Sequence, residues 1–177
     1  DSALPATGRT LILASRRVPG TLREYAHGPR AVVISNAADH YGHYGRSREQ
    51  KVARDCAALG RAGFDTHPLD LRDFDARTCG TDLRDLLRDA DLIWAGGGNT
   101  FWLMYQMHRS GFVDAIGAAL DSAVTYAGES AGAIACAPTL VGVDRNDSPH
   151  LSPDPTLPGL GLVPFLAWAH WSPTHPD

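Results

Sequence analysis

Short apolar runs alternate with longer amphipathic stretches along the chain, which predicts strands followed by helices. Arg46–Ala62 is typical of the amphipathic stretches, because Val52, Cys56 and Leu59 recur at helical spacing. The runs that predict buried strands are Thr10–Ser15, Ala31–Ser35, Phe64–Leu69, Asp91–Ala95, Ala123–Ala127 and Leu162–Trp168. Further helices are predicted at Asp82–Arg88, Phe101–Arg109 and Val113–Asp121, with a short one around Gly132.

This repeated order of strand and helix predicts an α/β fold with a mostly parallel sheet and helices on both faces. Val143–Gly161 is rich in Pro, Asp, Ser and Gly, and is expected to be a long loop. The length of 177 residues suits a single α/β domain over residues 1–177. Residues 1–8 are expected to be either a disordered N-terminus or a segment added for expression of the protein.

The composition excludes several classes of function. Charged residues make up 20% of the chain and the net charge is −4, which argues against disorder and against nucleic-acid binding through bulk positive charge. No apolar stretch reaches the roughly 18 residues that a membrane-spanning helix needs. Cys56, Cys79 and Cys136 form no CxxC pair, so we expect neither a disulfide framework nor a zinc site. Because disulfides are rare in the reducing cytoplasm, we expect a cytoplasmic location.

The strongest chemical signal is the G-x-S-x-G sequence at Gly128–Gly132, which follows a predicted strand and precedes a short helical run. A serine hydroxyl becomes a useful nucleophile when it is exposed and close to a base and to oxyanion donors. A sharp strand-to-helix turn exposes Ser130 and points the Ala131 amide at a developing oxyanion. We therefore predict that Ser130 is a nucleophile, and the alternative is an ordinary glycine-rich turn.

A second glycine run, Gly96–Gly98, also follows a predicted strand and leads into a helix. Its bare backbone lets amides approach a ligand, and the helix dipole favours negative charge there. We expect the Gly98 amide to be a second oxyanion donor, and Asn99, Thr100 and Glu129 to bind substrate. A phosphate-binding loop remains an alternative, as does a plain turn in which Asn99 or Thr100 caps the helix.

Histidine is the usual base for a serine nucleophile, and the chain contains eight. His170 is the first candidate, because it follows a predicted strand and the active sites of parallel sheets gather at the carboxyl ends of strands. His150, in the Pro-rich loop, is the second candidate. His40 and His43 have no third ligand at a convincing spacing, so we expect a polar loop beside the pocket, no metal and no other cofactor.

Three segments of the chain together resemble the peptidase E family, the aspartyl dipeptidases among the serine peptidases, to which cyanophycinase is related. They are Leu92–Phe101 with its GGGNTF, Tyr126–Ala133 with its GESAGA, and Cys136–Thr139. The resemblance implies a three-layer α/β/α sandwich similar to class I glutamine amidotransferases, with the nucleophile on an elbow. It also implies a cytoplasmic exopeptidase that removes N-terminal Asp from dipeptides through an acyl-enzyme, without a metal.

Carried over by position, the resemblance implies Ser130 as the nucleophile, His170 as the base and the amides of Gly98 and Ala131 as the oxyanion hole. One departure is Ala169, which stands where the family usually has a proline.

The third member of the triad is harder to assign. Members of the family continue beyond the histidine with a glutamate that completes the triad and an arginine that recognises the Asp side chain. We therefore expect this chain to lack a C-terminal portion. Asp147 lies where the family also has an Asp and is our substitute for the triad acid, ahead of Asp154 and Asp177.

Two other functions stay open. One is a hydrolase on the same scaffold with a different substrate, which the absence of the family's arginine favours. The other is a non-catalytic binding protein that keeps the elbow but has an incomplete triad. A glutamine amidotransferase is disfavoured, because those enzymes use cysteine at the elbow, where this chain has Ser130. We expect a small peptide substrate, no nucleic-acid or membrane partner, and a monomer or homodimer.

Overall fold

The computed structural model describes residues 8–17, 20–44, 47–77 and 80–170. The predicted disordered start lies outside the described residues except for Gly8, and Arg46, Cys79, His175 and Asp177 also lie outside them. None of the helices in the described ranges has the length and apolar character that a membrane crossing requires.

Five parallel strands form one sheet in the order β1-β5-β4-β2-β3. The strands are β1 (Leu11–Ala14), β2 (Arg30–Ile34), β3 (Asp65–Leu69), β4 (Leu92–Ala95) and β5 (Thr125–Glu129). In this register Glu129 lies opposite Ala14, and Gly128 lies opposite Ala95. The segments that leave β1, β4 and β5 therefore meet at the carboxyl edge of the sheet, where parallel sheets bind ligands.

Helical crossovers connect the strands, as parallel pairing requires. The helices are α1 (Arg48–Arg61), α2 (Gly80–Arg88), α3 (Thr100–Ser110), α4 (Phe112–Asp121) and α5 (Ala131–Ile134). Short 3₁₀ turns lie at Leu22–Tyr25, Asn36–Ala38, Tyr41–Tyr44, Leu71–Asp73, Val143–Arg145 and Pro149–Leu151. A capping box starts α1. The backbone amide of Gln50 donates to the Ser47 hydroxyl, and the backbone amide of Ser47 donates to the side-chain oxygen of Gln50.

Two apolar clusters, one on each face of the sheet, produce a three-layer α/β/α sandwich. On one face Trp94 packs in a cluster with Leu59 of α1. On the other face Ile93 and Tyr126 pack in a cluster with side chains of α2, α3 and α4. Ile93 and Trp94 are adjacent in β4 and point to opposite faces because of the strand pleat. The predicted fold, with its parallel sheet and helices on both faces, is confirmed.

The predicted strand over Leu162–Trp168 is wrong, because this segment is irregular. Its amides bond to the chain that leaves α5, and the amides of Leu162 and Val163 lie 2.9 and 3.1 Å from the carbonyl oxygen of Cys136. Pro164 has no amide hydrogen with which to continue a ladder. Leu162, Val163 and Leu166 pack on the core, whereas Phe165 and Trp168 are exposed. The hydrophobic pattern alone did not distinguish this loop from a strand.

β5 is displaced toward the C-terminus and spans Thr125–Glu129, where the pattern predicted Ala123–Ala127. Ala123 has a φ of 66°, and its amide donates to the carbonyl oxygen of Leu120, so it closes the exit from α4. Glu129 consequently ends the strand, and the turn starts at Ser130.

Candidate active site

Ser130 occupies a strained turn between β5 and α5. Its φ and ψ are 51° and −107°, a conformation that residues with a side chain rarely adopt. The Ser130 amide donates to the carbonyl oxygen of Ala14 at 2.9 Å, which ties the turn to β1. A Cβ at Gly132 would lie 2.1 Å from the carbonyl oxygen of Ala95, so only glycine permits this approach to β4. These features are typical of a nucleophile elbow, and Ser130 lines the adjoining cleft.

The glycine run after β4 packs directly against this turn. A Cβ on Gly97 would lie 3.1 Å from the Cβ of Ser130. Gly98 has a φ of 152°, and a Cβ there would lie 2.1 Å from the carbonyl oxygen of Ala37. The Asn99 amide donates to that same oxygen at 2.8 Å. Backbone packing therefore fixes the glycine run beside Ser130.

The two predicted oxyanion donors carry unused hydrogens. In the described part of the chain, neither the backbone amide of Gly98 nor that of Ala131 donates a hydrogen bond. Ala131 is the first residue of α5, where helix amides lack intrahelical partners. Gly98 lines the cleft with Ser130, and Ala131 follows Ser130 in the chain, so their free amides are the candidates for stabilising an oxyanion formed there.

His170 reaches Ser130 from a loop. Its Nε2 lies 2.9 Å from the Ser130 Oγ. The His170 amide donates to the Ser15 hydroxyl at 2.8 Å, and its φ of 63° turns the chain over the end of β1. The residue thus lies beside the predicted nucleophile, although the strand from which it was selected is absent.

Arg16 contacts the other ring nitrogen of His170. Its Nε donates to His170 Nδ1 at 2.8 Å. A guanidinium has no acceptor, so Nδ1 accepts this bond and a neutral ring carries its proton on Nε2. That Nε2–H donates to the Ser130 hydroxyl, whereas a general base must accept a proton at this position. His170 can therefore act as a base only after the bond at Nδ1 changes.

Asp147, the predicted triad acid, lines the same cleft but is bonded elsewhere. Its carboxylate accepts from the amide of Thr100 at 2.9 Å and from its hydroxyl at 2.5 Å. Burial raises the pKa of Asp147, and the bonds from Thr100 and the nearby His170 offset that increase only in part. Asp154 accepts from the amide and hydroxyl of Thr156 and does not line the cleft.

The three side chains predicted to bind substrate are engaged within the protein. Asn99 caps α3, because its Oδ1 accepts from the Trp102 amide at 2.9 Å, and its Nδ2 donates to the carbonyl oxygen of Ser148 at 2.9 Å. Thr100 donates twice to a carboxylate. Glu129 accepts hydrogen bonds at both carboxylate oxygens. Asn99 therefore caps α3, and the role of these three residues toward a substrate stays a prediction.

Three of the other described histidines, His67, His108 and His150, do not line the cleft. His150 is exposed in a 3₁₀ turn, and His67 is close to Asp65 on the surface. His108 bonds to the carbonyl oxygen of Pro158. His40 lines the cleft, and its side chain is only partly buried. Among the described residues, no three His, Cys, Asp or Glu side chains are grouped so that they could hold a metal ion.

A buried ionic cluster, formed by Lys51, Asp55 and Glu129, lies beneath the glycine run. Burial by itself would raise the pKa of Glu129, but Lys51 and the amides of Arg17 and Gly97 outweigh it and hold the pKa below its ordinary value. Lys51 and Asp55 were not predicted from the sequence. Their spacing of four residues along α1 resembles an ordinary surface ion pair and did not indicate a site.

A cleft of about 1050 Å³ opens over Ser130 and His170. Four arginines, which the sequence analysis also missed, contribute to its lining. They are Arg16, Arg17, Arg54 and Arg61. Arg16 and Arg17 follow β1 after Ser15, and their position at the carboxyl end of a strand was the signal that could have found them.

Comparison with known proteins gives a consistent result. The model of peptidase family S51 matches residues 46–177. A peptidase E of Streptomyces coelicolor is 39% identical over 85 residues, which are 48% of this chain and 34% of that protein. A peptidase E of Nostoc sp. is 33% identical over 100 residues, which are 56% of this chain and 40% of that protein. The chain thus spans between about a third and two fifths of these relatives' length.

Two solved structures share the fold. A candidate peptidase E protein from Listeria monocytogenes EGD-e superposes with a TM-score of 0.73 at 25% identity, over 89% of this chain and 77% of that one. A peptidase from an acI-B1 Actinobacterium superposes with a TM-score of 0.57 at 20% identity, over 72% of this chain and 56% of that one, and supports the fold alone. Because the family model covers well over half of its residues, the chain belongs to peptidase family S51.

Proposed function

We propose that this chain carries the reaction centre of a serine exopeptidase that hydrolyses dipeptides with an N-terminal Asp. The observation that carries the proposal is the 2.9 Å contact between Ser130 Oγ and His170 Nε2 on a strained turn. The free amides of Gly98, which lines the cleft, and of Ala131, which follows Ser130, support it, as does the membership of peptidase family S51. The peptidase E relatives add support for peptide substrates.

The proposed reaction is acyl transfer to water. Arg16 first releases His170 Nδ1, and the ring proton moves from Nε2 to Nδ1, so that Nε2 can accept a proton. Ser130 Oγ then bonds to the peptide carbonyl carbon while His170 Nε2 takes its proton, and the amides of Gly98 and Ala131 stabilise the oxyanion, each by about 3 kcal/mol. His170 then protonates the leaving amine as the C–N bond breaks. Water hydrolyses the acyl-enzyme, and Ser130 regains its proton.

The arginines of the cleft support an acidic side chain in the substrate. Arg54 has a side chain that is 59% exposed, and its nearest acidic partners, Asp55 and Glu129, lie at 3.7 and 3.9 Å. Both of those carboxylates already pair with Lys51. Arg54 therefore retains donors for a substrate carboxylate, a pairing for which a planar guanidinium is well suited.

A panel of dipeptides tests the proposal. We expect the purified chain to cleave Asp-Leu at least about tenfold faster than the isosteric, uncharged Asn-Leu, because the lost charged hydrogen bond is worth about 1.5–3 kcal/mol. Ser130→Ala serves as the blank for each substrate. Equal rates for the two dipeptides would favour the hydrolase with a different substrate. A folded chain that cleaves no member of the panel would contradict the peptidase proposal.

Removing the Arg16 side chain is expected to accelerate the first chemical step. In Arg16→Ala the Nδ1 of His170 is free to carry the ring proton, so Nε2 can accept the proton of Ser130. We expect a fluorophosphonate to label Ser130 about tenfold faster in this variant, since one charged hydrogen bond no longer opposes the change. Arg61→Ala, which also alters a cleft arginine but not the bond at His170, is the matched control. A slower reaction of Arg16→Ala would show that the guanidinium assists His170.

A second candidate function, a non-catalytic binding protein, is favoured by one observation. Within the described residues, the ring of His170 bonds to Ser130 and Arg16, and no carboxylate bonds to it. A triad without an orienting acid can lose about 10⁴ in turnover. Under this alternative the chain would bind acidic dipeptides in calorimetry without cleaving them, and Ser130 would resist the fluorophosphonate.

A further inference from the structure

We infer that Lys51 and Glu129 are positioning residues for the proposed reaction, because their buried ion pair sets the spacing between the glycine run and the turn at Ser130. The inference rests on the proposed function. Neither side chain needs to touch the substrate for this role. Their effect passes through the backbone that presents the nucleophile and the oxyanion donors.

The carboxylate of Glu129 joins three separate segments. Its Oε2 accepts from Lys51 Nζ at 2.8 Å and from the Gly97 amide at 3.3 Å. Its Oε1 accepts from the Arg17 amide at 3.0 Å. Glu129 immediately precedes Ser130, so a single side chain connects the turn to α1, to the glycine run and to the chain that leaves β1.

Lys51 neutralises a carboxylate that could not otherwise stay charged beneath the cleft. Only 3% of Lys51 is exposed, and its ammonium also pairs with Asp55. Asp55 in turn accepts from the Ser35 hydroxyl at 3.3 Å and from Trp94 Nε1 at 3.4 Å. A buried charge persists when it is paired and hydrogen-bonded, and each member of this cluster meets that condition.

The glycine run follows the cluster closely. A Cβ at Gly96 would lie 2.6 Å from Asp55 Oδ2 and 2.8 Å from Lys51 Nζ. A Cβ at Gly97 would lie 3.1 Å from the Cβ of Ser130. Backbone bonds from Gly96 to Ile34 and from Asn99 to Ala37 hold the two ends of the run. The Glu129 carboxylate adds a bond to the Gly97 amide between them, on the side that faces the Ser130 turn. A displacement of about 1 Å in such a site can cost about 10²-fold in rate.

Glu129→Gln is the first test, because it keeps the shape of the side chain and leaves the Lys51–Asp55 pair intact. The side-chain amide can accept at only one end, so either the bond from Arg17 or both bonds from Lys51 and Gly97 are lost. We expect kcat for Asp-Leu to fall about 10²-fold while KM changes less than about threefold, because the interaction acts on the transition state. Labelling of Ser130 by a fluorophosphonate should slow by a similar factor.

Two further variants separate positioning from folding. Asp55→Asn is the matched control, since it removes the other buried carboxylate on Lys51 but contacts neither Gly97 nor Arg17. We expect Asp55→Asn to lower the free energy of unfolding at least as much as Glu129→Gln does. Its loss in kcat should be about ten times smaller than the loss caused by Glu129→Gln. Lys51→Met should reproduce the loss in kcat of Glu129→Gln, and the double variant should be no slower than either single one, because the two side chains act as one unit.

The outcomes distinguish the inference from the proposed function. If wild type is active and kcat of the three single variants falls only in proportion to their folded fraction, the cluster is structural and the inference is wrong. If Glu129→Gln retains the kcat of the wild type, the inference is wrong as well. A folded wild-type chain that neither cleaves Asp-Leu nor is labelled at Ser130 overturns the proposed function and the inference with it.

Discussion

Replacing Gly132 with alanine is expected to lower the free energy of unfolding by about 3 kcal/mol, as overpacking of a close backbone contact does. The new Cβ would lie 2.1 Å from the carbonyl oxygen of Ala95 and 2.8 Å from its Cβ. These atoms belong to β4 in the centre of the sheet, so the strand cannot move aside, and α5 must move away from it. Urea unfolding measures the loss, and for a chain of this size the melting temperature should fall by about 10 °C.

Gly117→Ala provides the control for this prediction. Gly117 lies inside α4, and a Cβ there would have the mobile end of Arg9 as its nearest neighbour, at 3.6 Å. Alanine should therefore raise the stability by up to about 1 kcal/mol through helix propensity. Equal stabilities of the two alanine variants would mean that the backbone of α5 yields easily and that the contact with β4 does not define the turn.

The fold could be predicted from sequence where each element carries its own pattern. α1 has an amphipathic repeat and a serine cap, and β2 and β4 are continuous apolar runs of the kind buried in parallel sheets. Leu162–Trp168 shows where this reasoning fails. Only part of its apolar surface is packed, and the amides of Leu162 and Val163 bond to Cys136, which follows α5, and not to a neighbouring strand. No local sequence signal reveals a bonding partner that the tertiary structure brings close.

The candidate site divides in the same way. Ser130 and Gly98 could be identified because glycines directly after a strand indicate a close backbone contact, and this signal lies within a short stretch of sequence. The Lys51–Glu129 bond joins residues 78 positions apart, and Arg16 meets His170 across 154 positions. Such contacts depend on the order of strands in the sheet, which the sequence pattern left open. The strand from which His170 was first selected is absent, so its place beside Ser130 agrees with the family resemblance and not with the strand pattern.

Replacing Ser130 and His170 together is expected to cost no more activity than replacing either one. Ser130→Ala removes the nucleophile, and His170→Ala removes the group that takes its proton, so each change disables the same step. We expect each single variant to lower kcat for Asp-Leu by about 10⁴-fold or more, and the double variant to lie within about threefold of the slower single one. Initial rates at saturating substrate, corrected for folded protein, provide the measurement.

Ser122→Ala and His67→Ala, which alter exposed side chains outside the cleft, are the controls and should retain wild-type kcat. Independent action would instead multiply the two losses, so a double variant far slower than both single ones would show that His170 serves another step. His170→Ala with near-normal kcat would be still more informative. It would mean that Ser130 receives its base from elsewhere and that the 2.9 Å contact belongs to a resting arrangement in which Arg16 keeps the ring proton on Nε2.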